Sequence, residues 1–205
     1  MESKKENVNR ITLLGVVSSP VEFSHETKCE KFYKFYLSVK RKSGCEDVIM
    51  CIVPEVFLKY VEAGKCVGIN GEIRTRNNHS EGKSKLEIYV FVLGVDDYEG
   101  QDSNYAELEG YVCKEPTYRE TPSGRGISDL MIASKRYCGK SDYIPCICWG
   151  RNALYASDFP VGAKVRLSGR LQSREYVKKH ENGETETRVA YELSVSRFEV
   201  VAHED

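Results

Sequence analysis

The sequence lacks the features of a membrane or secreted protein and has almost no net charge. No uninterrupted apolar run approaches membrane-spanning length, and the first ten residues, MESKKENVNR, contain no apolar segment. The 30 lysines and arginines are balanced by 31 aspartates and glutamates. We therefore expect a cytoplasmic protein that makes no membrane contact. Any affinity for a polyanion has to come from a local arrangement of cations.

The sequence also lacks the patterns of a metal site or an enzyme. No two of its eight cysteines are separated by the two residues that a zinc knuckle uses, and the four histidines are scattered in predicted loops and tails. No histidine neighbours a serine or cysteine in a recognisable catalytic arrangement, and the acidic residues fall mostly in predicted loops. We expect reduced structural thiols, no metal, no cofactor, no small-molecule substrate and no catalysis.

An internal repeat organises the chain. A shift of 95 residues places Asn9 on Asn104, Lys40-Arg41 on Lys135-Arg136, and Asp47 on Asp142. After a slip of three residues the match resumes, with Gly71 on Gly169 and Arg76 on Arg174. The sequence therefore predicts two copies of one domain, residues 1–97 and 104–205, joined by an acidic and polar linker at 98–103.

Each copy is predicted to be a small β-barrel. Five strands are expected in each copy, the first of the second copy running from 104 to 119. A short helical piece follows the third strand, at 55–63 and 152–157, and each ends before a glycine. This order is that of the OB-fold, a five-stranded Greek-key barrel that binds oligonucleotides. The predicted fold class is all-β, with two tandem OB-folds. Asn182-Gly183 is predicted to form the turn between the last two strands.

The stretch from Lys164 to Lys179, KVRLSGRLQSREYVKK, predicts a strand with one cationic face. Side chains alternate between faces of a strand, so the residues from Val165 to Leu171 at odd positions are apolar or glycine. The even positions carry five cations, a glutamine, a serine and Tyr176. Such a row suits single-stranded nucleic acid, which offers both phosphates and bases that stack. The alternative is an ordinary half-exposed strand with its cations in water.

Three segments of the second copy carry a family resemblance. TPSG at 121–124, DYIPCICWGRNA at 142–153 and VRLSGRLQSREY at 165–176 resemble the bacterial single-stranded DNA-binding protein (SSB) family, and the resemblance covers 104–201. It implies that Tyr137, Tyr143, Trp149 and Tyr176 stack on bases. Strand alternation independently places Tyr143 and Trp149 on the face opposite Ile144, Cys146 and Cys148. The alternative for each ring is simple packing against the barrel.

These arguments give a set of candidate residues for contact with single-stranded DNA. In the second copy they are Lys135, Tyr137, Tyr143, Trp149, Arg151, Lys164, Arg166, Arg170, Arg174, Tyr176 and Lys178. Weaker contacts are expected in the first copy from Lys34, Tyr36, Lys40, Arg74 and Arg76.

The two copies are expected to differ in binding. The positions of the first copy equivalent to the four stacking residues are Lys42, Val48, Pro54 and Asn78, none of them aromatic. We therefore expect the second copy to carry most of the affinity. The alternative is that the first copy uses other rings, such as Phe32 or Tyr33.

The resemblance also bears on partners. Members of the family with two barrels per chain resemble dimers that present four barrels, so a homodimer is expected. The chain closes with EVVAHED instead of the family's polar linker and acidic tip, so we expect strand protection without recruitment through such a tip, or recruitment through another surface. A protein-assembly module similar to primosomal replication protein N, with weak nucleic-acid binding, is the alternative function.

Overall fold

Strands dominate the structure because apolar residues alternate along most of the chain. The computed structural model describes residues 8–80, 83–179, 183 and 185–201. The first half contains the strands β1 Asn9–Val17, β2 Glu22–Glu26, β3 Lys31–Lys40, β4 Glu46–Pro54, β5 Cys66–Ser80 and β6 Lys83–Asp97, with a 3₁₀ helix at Glu55–Tyr60. The second half contains β7 Ser103–Val112, β8 Thr117–Glu120, β9 Gly126–Lys135, β10 Ser141–Trp149, the helix α1 Arg151–Ser157, β11 Lys164–Lys179 and β12 Thr185–Val200. No helix in these described ranges is long and apolar enough to cross a membrane.

Each half closes into a barrel through the same order of pairing. In the first half β3 pairs with β4, β4 with β6 in parallel, β6 with β5, and β5 with β1, and β1 returns to β3. In the second half β9, β10, β12, β11 and β7 repeat this order, and β7 returns to β9. This order and closure are those of the OB-fold, so the predicted all-β fold of two tandem OB-folds is confirmed.

The predicted strands and helices needed three local corrections. Each barrel has a sixth short strand, β2 or β8, which pairs with the strand that follows it. The single strand predicted at 104–119 is broken between Val112 and Thr117, because Pro116 has no N–H to donate to a ladder. The helical piece predicted at 55–63 is a 3₁₀ helix that ends at Tyr60. Asn182, half of the predicted turn, lies outside the described residues.

The barrel interiors follow the predicted alternation. Ile144, Cys146 and Cys148 of β10 are at most 2% exposed and face the core. Gly169 is required where β11 crosses β12, because a Cβ there would lie 2.0 Å from the carbonyl oxygen of Ser194. At the equivalent Gly71 a Cβ would lie 2.4 Å from the Phe91 oxygen. The repeated glycines therefore mark the closest approach of two strands in each barrel.

The two barrels share a backbone ladder. β1 pairs with β7 in antiparallel orientation over six residue pairs, from Asn9 opposite Leu108 to Leu14 opposite Ser103. All twelve strands therefore belong to one continuous sheet. Backbone hydrogen bonds fix the register of such a ladder, so the barrels have a defined relative position.

Candidate nucleic-acid interface

Trp149 lies at the end of β10, where the chain turns into α1. Gly150 makes this turn with a φ of 59°, a left-handed conformation that favours glycine. The guanidinium of Arg125, in the loop before β9, lies over the indole ring, 4.9 Å from its centroid. The ring is partly exposed, so the second barrel presents an aromatic face with a cation beside it.

The indole and Arg125 line an open groove of about 680 Å³. Its other lining residues are polar or cationic, apart from Val195: Arg41, Asn152, Arg170, Gln172, Ser173, Arg174, Ser194 and Ser196. Four arginines thus line the same groove as one indole ring. A groove that combines cations with an aromatic face is typical of sites for single-stranded nucleic acid.

The cations of the groove are incompletely neutralised. Within the part of the chain that the structure describes, Arg125 and Arg170 form no ion pair with a carboxylate. Arg174 reaches Glu192 only at 3.8 Å, and Glu192 accepts a hydrogen bond of 2.7 Å from Gln172. Burial lowers the pKa of Arg170, the nearby charge of Arg41 lowers it further, and the charge of Asp47 offsets only part of this. Positive charge therefore accumulates in the groove.

The row of cations predicted along β11 divides into two parts. The carboxylate of Glu109 on β7 forms ion pairs with the two cations nearest the start of β11, at 2.6 Å from Lys164 and 2.7 Å from Arg166. Burial alone would raise the pKa of Glu109, but the hydrogen bonds and charges of these two cations outweigh it and lower the pKa. Neither cation lines the groove, whereas Arg170 and Arg174 do. The row therefore alternates as predicted but faces two environments, because a strand coils around a barrel and its ends face different neighbours.

The four predicted stacking rings of the second barrel do not converge on one point. Tyr143 is 50% exposed on β10, and its backbone N–H donates to Thr75 of the first barrel. Tyr176 lies on the part of β11 that pairs with β12 alone, with the Arg174 guanidinium 6.0 Å from its ring centroid. Tyr137 is fully exposed, and it lies in the turn between β9 and β10 instead of on a strand. Of the four rings only Trp149 lines the groove.

Three further cations of this barrel were predicted to contact DNA. Arg151 is exposed at the first residue of α1, and Lys135 is exposed at the end of β9. The side chain of Lys178 lies outside the described residues. Neither Arg151 nor Lys135 lines the groove.

The family match of this chain covers its second half. Residues 103–201 match the Single-strand binding protein family. This segment forms the second barrel and is called the single-strand binding domain below, after that match. The single-stranded DNA-binding protein 1 of Staphylococcus aureus is 32% identical over 80 residues, which are 36% of this chain and 48% of that protein. The single-stranded DNA-binding protein of Clostridium tetani is 30% identical over 83 residues, 37% of this chain and 57% of that protein. The chain thus spans about half the length of these curated relatives.

A solved structure extends the likeness to both barrels. The wild-type single-stranded DNA-binding protein from Thermus aquaticus superposes with a TM-score of 0.78, covering 98% of this chain and 96% of that chain. The sequence identity is 18%, so this likeness concerns the fold. The single-strand binding domain is therefore one of two barrels in a known tandem arrangement.

Carboxylates engage three of the four predicted cations of the first barrel. Arg74 pairs with Glu72 at 2.9 Å, and Arg76 pairs with Glu87 at 2.7 Å. Lys34 pairs with Glu22 at 3.1 Å. The other two predicted residues, Tyr36 and Lys40, lie on β3, and the backbone N–H of Lys40 donates to Asp102. The first barrel therefore offers fewer unpaired charges to a phosphate.

Aromatic rings are nevertheless present on the first barrel, on β6, from which no candidate DNA contact was predicted. The Arg74 guanidinium lies 3.6 Å from the ring centroid of Phe91 on β6, and the Arg76 guanidinium lies 5.6 Å from the ring centroid of Tyr89. Phe32 is only 7% exposed, since it packs against Phe91 and the ring of His25. The first barrel therefore carries aromatic rings at positions other than the four equivalents, and its own arginines cover two of these rings. Alternation along β6 from the buried Val90 would have found both rings.

Two arginines that line the groove, Arg125 and Arg41, were not among the residues predicted from the sequence. Arg125 stands in a loop where no periodicity applies, although it directly follows the TPSG segment that resembles the family. Arg41 belongs to the other barrel, so no property of the second copy points to it. The matched pairs Arg41 with Arg136 and Asp47 with Asp142 in the repeat were the available signal.

Proposed function

We propose that this protein binds single-stranded DNA with little dependence on base sequence and protects it during replication, recombination or repair. The observation that carries the proposal is the groove of the second barrel, where Trp149 lies beside Arg125 and Arg170 in a domain of the Single-strand binding protein family. The role is one of binding, with no chemical step. The relatives are both named single-stranded DNA-binding proteins, which supports single-stranded DNA as the ligand.

The groove favours single strands over duplex DNA for a physical reason. An indole ring stacks on a base only when that base is not already stacked inside a duplex, and every base has a π-face. The arginines contact phosphates, which are present in any sequence, so affinity falls as salt rises. Lys135, Tyr137, Tyr143, Arg151, Tyr176 and Lys178 extend the proposed contact surface beyond the groove, and Lys164 and Arg166 contribute only if DNA displaces them from Glu109.

We further propose that the second barrel carries most of the affinity. Carboxylates already neutralise Lys34, Arg74 and Arg76 of the first barrel, whereas Arg125 and Arg170 have no such partner among the described residues. A cation that must first leave an ion pair contributes less to phosphate binding, because the cost of breaking the pair offsets the gain. Tyr36 and Lys40 remain secondary contacts.

A fluorescence titration tests the proposed function directly. Trp149 is the only tryptophan of the chain, so stacking of a base on its ring is expected to quench the total tryptophan emission. Oligo-dT and a mixed-sequence single strand should quench the emission with similar midpoints at moderate salt. A mixed-sequence duplex should compete at least tenfold less well. A duplex that competes as well as oligo-dT refutes the proposal.

The assembly that we propose is a cytoplasmic homodimer that presents four barrels. Two-fold symmetric dimers are the commonest closed assembly of soluble proteins. Light scattering at micromolar concentration should give twice the chain mass of 23.3 kDa. A mass equal to that of one chain would show that the two barrels act alone.

A further inference from the structure

A buried carboxylate of the first barrel holds the second barrel in place. Asp47 is fully buried, and its carboxylate accepts a hydrogen bond of 2.8 Å from Nε of Arg41. The same carboxylate accepts a hydrogen bond of 2.9 Å from the backbone N–H of Ser173 on β11. The hydroxyl of Ser173 in turn accepts from the backbone N–H of Val48 at 2.9 Å. An arginine–aspartate pair of one barrel thus clamps a strand of the other.

The second barrel clamps the first in the same way. Asp142 is fully buried, bonded at 2.6 Å to Nε of Arg136, and it accepts from the backbone N–H of Thr75 on β5. The hydroxyl of Thr75 accepts from the backbone N–H of Tyr143 at 3.1 Å. Arg41, Asp47 and Thr75 correspond in the repeat to Arg136, Asp142 and Ser173. The two clamps are therefore equivalent by internal symmetry.

The first clamp brings Arg41 into the groove of the other barrel. Arg41 and Ser173 both line the groove that contains Trp149. The hydrogen bonds to Asp47 use Nε and Nη2 of Arg41. The guanidinium has five N–H donors, and the two on Nη1 make no hydrogen bond to the described residues. The side chain of Arg41 is 25% exposed, so solvent reaches it.

We propose that the single-strand-binding groove is a composite site, in which Arg41 of the first barrel contacts a phosphate of DNA that is stacked on Trp149 of the second. This inference rests on the proposed function and adds to it a DNA contact from the barrel that otherwise contributes little. It also assigns the inter-barrel clamp a role in positioning the DNA.

The charges around Arg41 identify a phosphate as its partner. Four arginines line the groove, and only Asp47 and Glu192 pair with any of them among the described residues. Arg41 and Arg170 are close enough for their charges to repel. A phosphate between two guanidinium groups relieves this repulsion and accepts charge-assisted hydrogen bonds from both.

The repeat supplies a matched control for this contact. Arg136 forms the equivalent clamp, but the position of the first barrel that corresponds to Arg170 is Glu72. A glutamate there repels phosphate, so Arg136 has the same structural task as Arg41 without a cationic neighbour at that position. Substitution of either arginine removes one clamp, and only substitution of Arg41 removes a proposed DNA contact.

The experiment compares Arg41→Gln with Arg136→Gln in the full chain. Binding of a fluorescent oligo-dT is measured by anisotropy at several salt concentrations. We expect Arg41→Gln to weaken binding about tenfold and to reduce the slope of log K against log salt by about 0.7, the value for one phosphate contact on a single strand. Arg136→Gln should keep the wild-type slope and an affinity within about twofold of the wild type.

Each outcome decides the proposal. A wild-type slope in Arg41→Gln, or equal losses in both variants, overturns it and leaves Arg41 as a clamp alone. If either glutamine variant fails to fold by circular dichroism, Arg41→Lys is compared with Arg136→Lys. The lysine variants keep the charge but lose the forked geometry, so a loss of affinity several-fold larger for Arg41→Lys supports the contact and equal losses refute it. A wild type that does not bind oligo-dT refutes the proposed function itself.

Discussion

Replacement of Trp149 by alanine is the most direct perturbation of the groove. The change removes the only groove-lining aromatic ring within the described residues, together with the cation–π contact that Arg125 makes at 4.9 Å. Stacking of one base on an aromatic side chain contributes about 1–3 kcal/mol. We therefore expect Trp149→Ala to weaken binding of oligo-dT by about 5- to 150-fold, since 1.4 kcal/mol corresponds to a factor of about ten.

The assay has to use labelled DNA, because Trp149→Ala has no tryptophan left to report binding. Anisotropy of a fluorescent oligo-dT gives the dissociation constant of each variant at fixed salt. Trp149→Phe keeps an aromatic ring and should recover most of the affinity. Tyr155→Ala is the matched control, because Tyr155 is an aromatic side chain that is 67% exposed on α1 and does not line the groove.

Stacking on Trp149 is refuted if Trp149→Ala binds as tightly as the wild type while the thermal unfolding of both is the same. It is refuted equally if Tyr155→Ala loses as much affinity as Trp149→Ala, since the loss would then not depend on the groove. An equal loss in Trp149→Phe and Trp149→Ala would show that the shape of the indole, and not stacking in general, determines binding.

Three further predictions concern charge. Arg170→Ala should reduce the salt slope of binding by about 0.7, whereas Arg74→Ala, already neutralised by an ion pair, should leave the slope unchanged. Asp142→Ala should lower the free energy of unfolding by about 3–5 kcal/mol, because it leaves the partly buried Arg136 and the buried Thr75 without their hydrogen-bond acceptor. Asp129→Ala, from an exposed pair, should cost less than about 1 kcal/mol. Glu109 has a lowered pKa, so its contribution to stability is present above the ordinary value of 4.5 and is lost as the pH falls through the lower pKa of the folded state. The stability advantage of the wild type over Glu109→Gln should therefore shrink on acidification.

Each of these predictions has a measurement that can contradict it. Equal salt slopes for the two arginine variants would show that the groove does not concentrate phosphate contacts. Urea unfolding that gives the same cost for the two aspartate variants would show that burial of the clamp adds nothing. A stability difference between wild type and Glu109→Gln that is constant from pH 7 to about pH 3 would refute the lowered pKa of Glu109.

The sequence by itself determined the architecture. The repeat offset of 95 residues gave two barrels, and the alternation around Ile144, Cys146 and Cys148 correctly separated the core from the outer face. These features are local or periodic, because side chains of a strand alternate whatever the strand pairs with. The position of Trp149 at the end of a strand followed from the same alternation and from the resemblance of its segment.

Only the tertiary structure decided which cations are available to a ligand. Lys164 and Arg170 lie in one alternating row of the sequence. In the structure, Lys164 forms an ion pair with the buried Glu109 of a neighbouring strand, whereas Arg170 lines the groove. Arg41 reaches the groove from the other barrel through a clamp between residues more than 120 positions apart. The charge that an arginine presents depends on the carboxylates that folding places within about 4 Å, and these partners come from distant parts of the chain that no local pattern specifies.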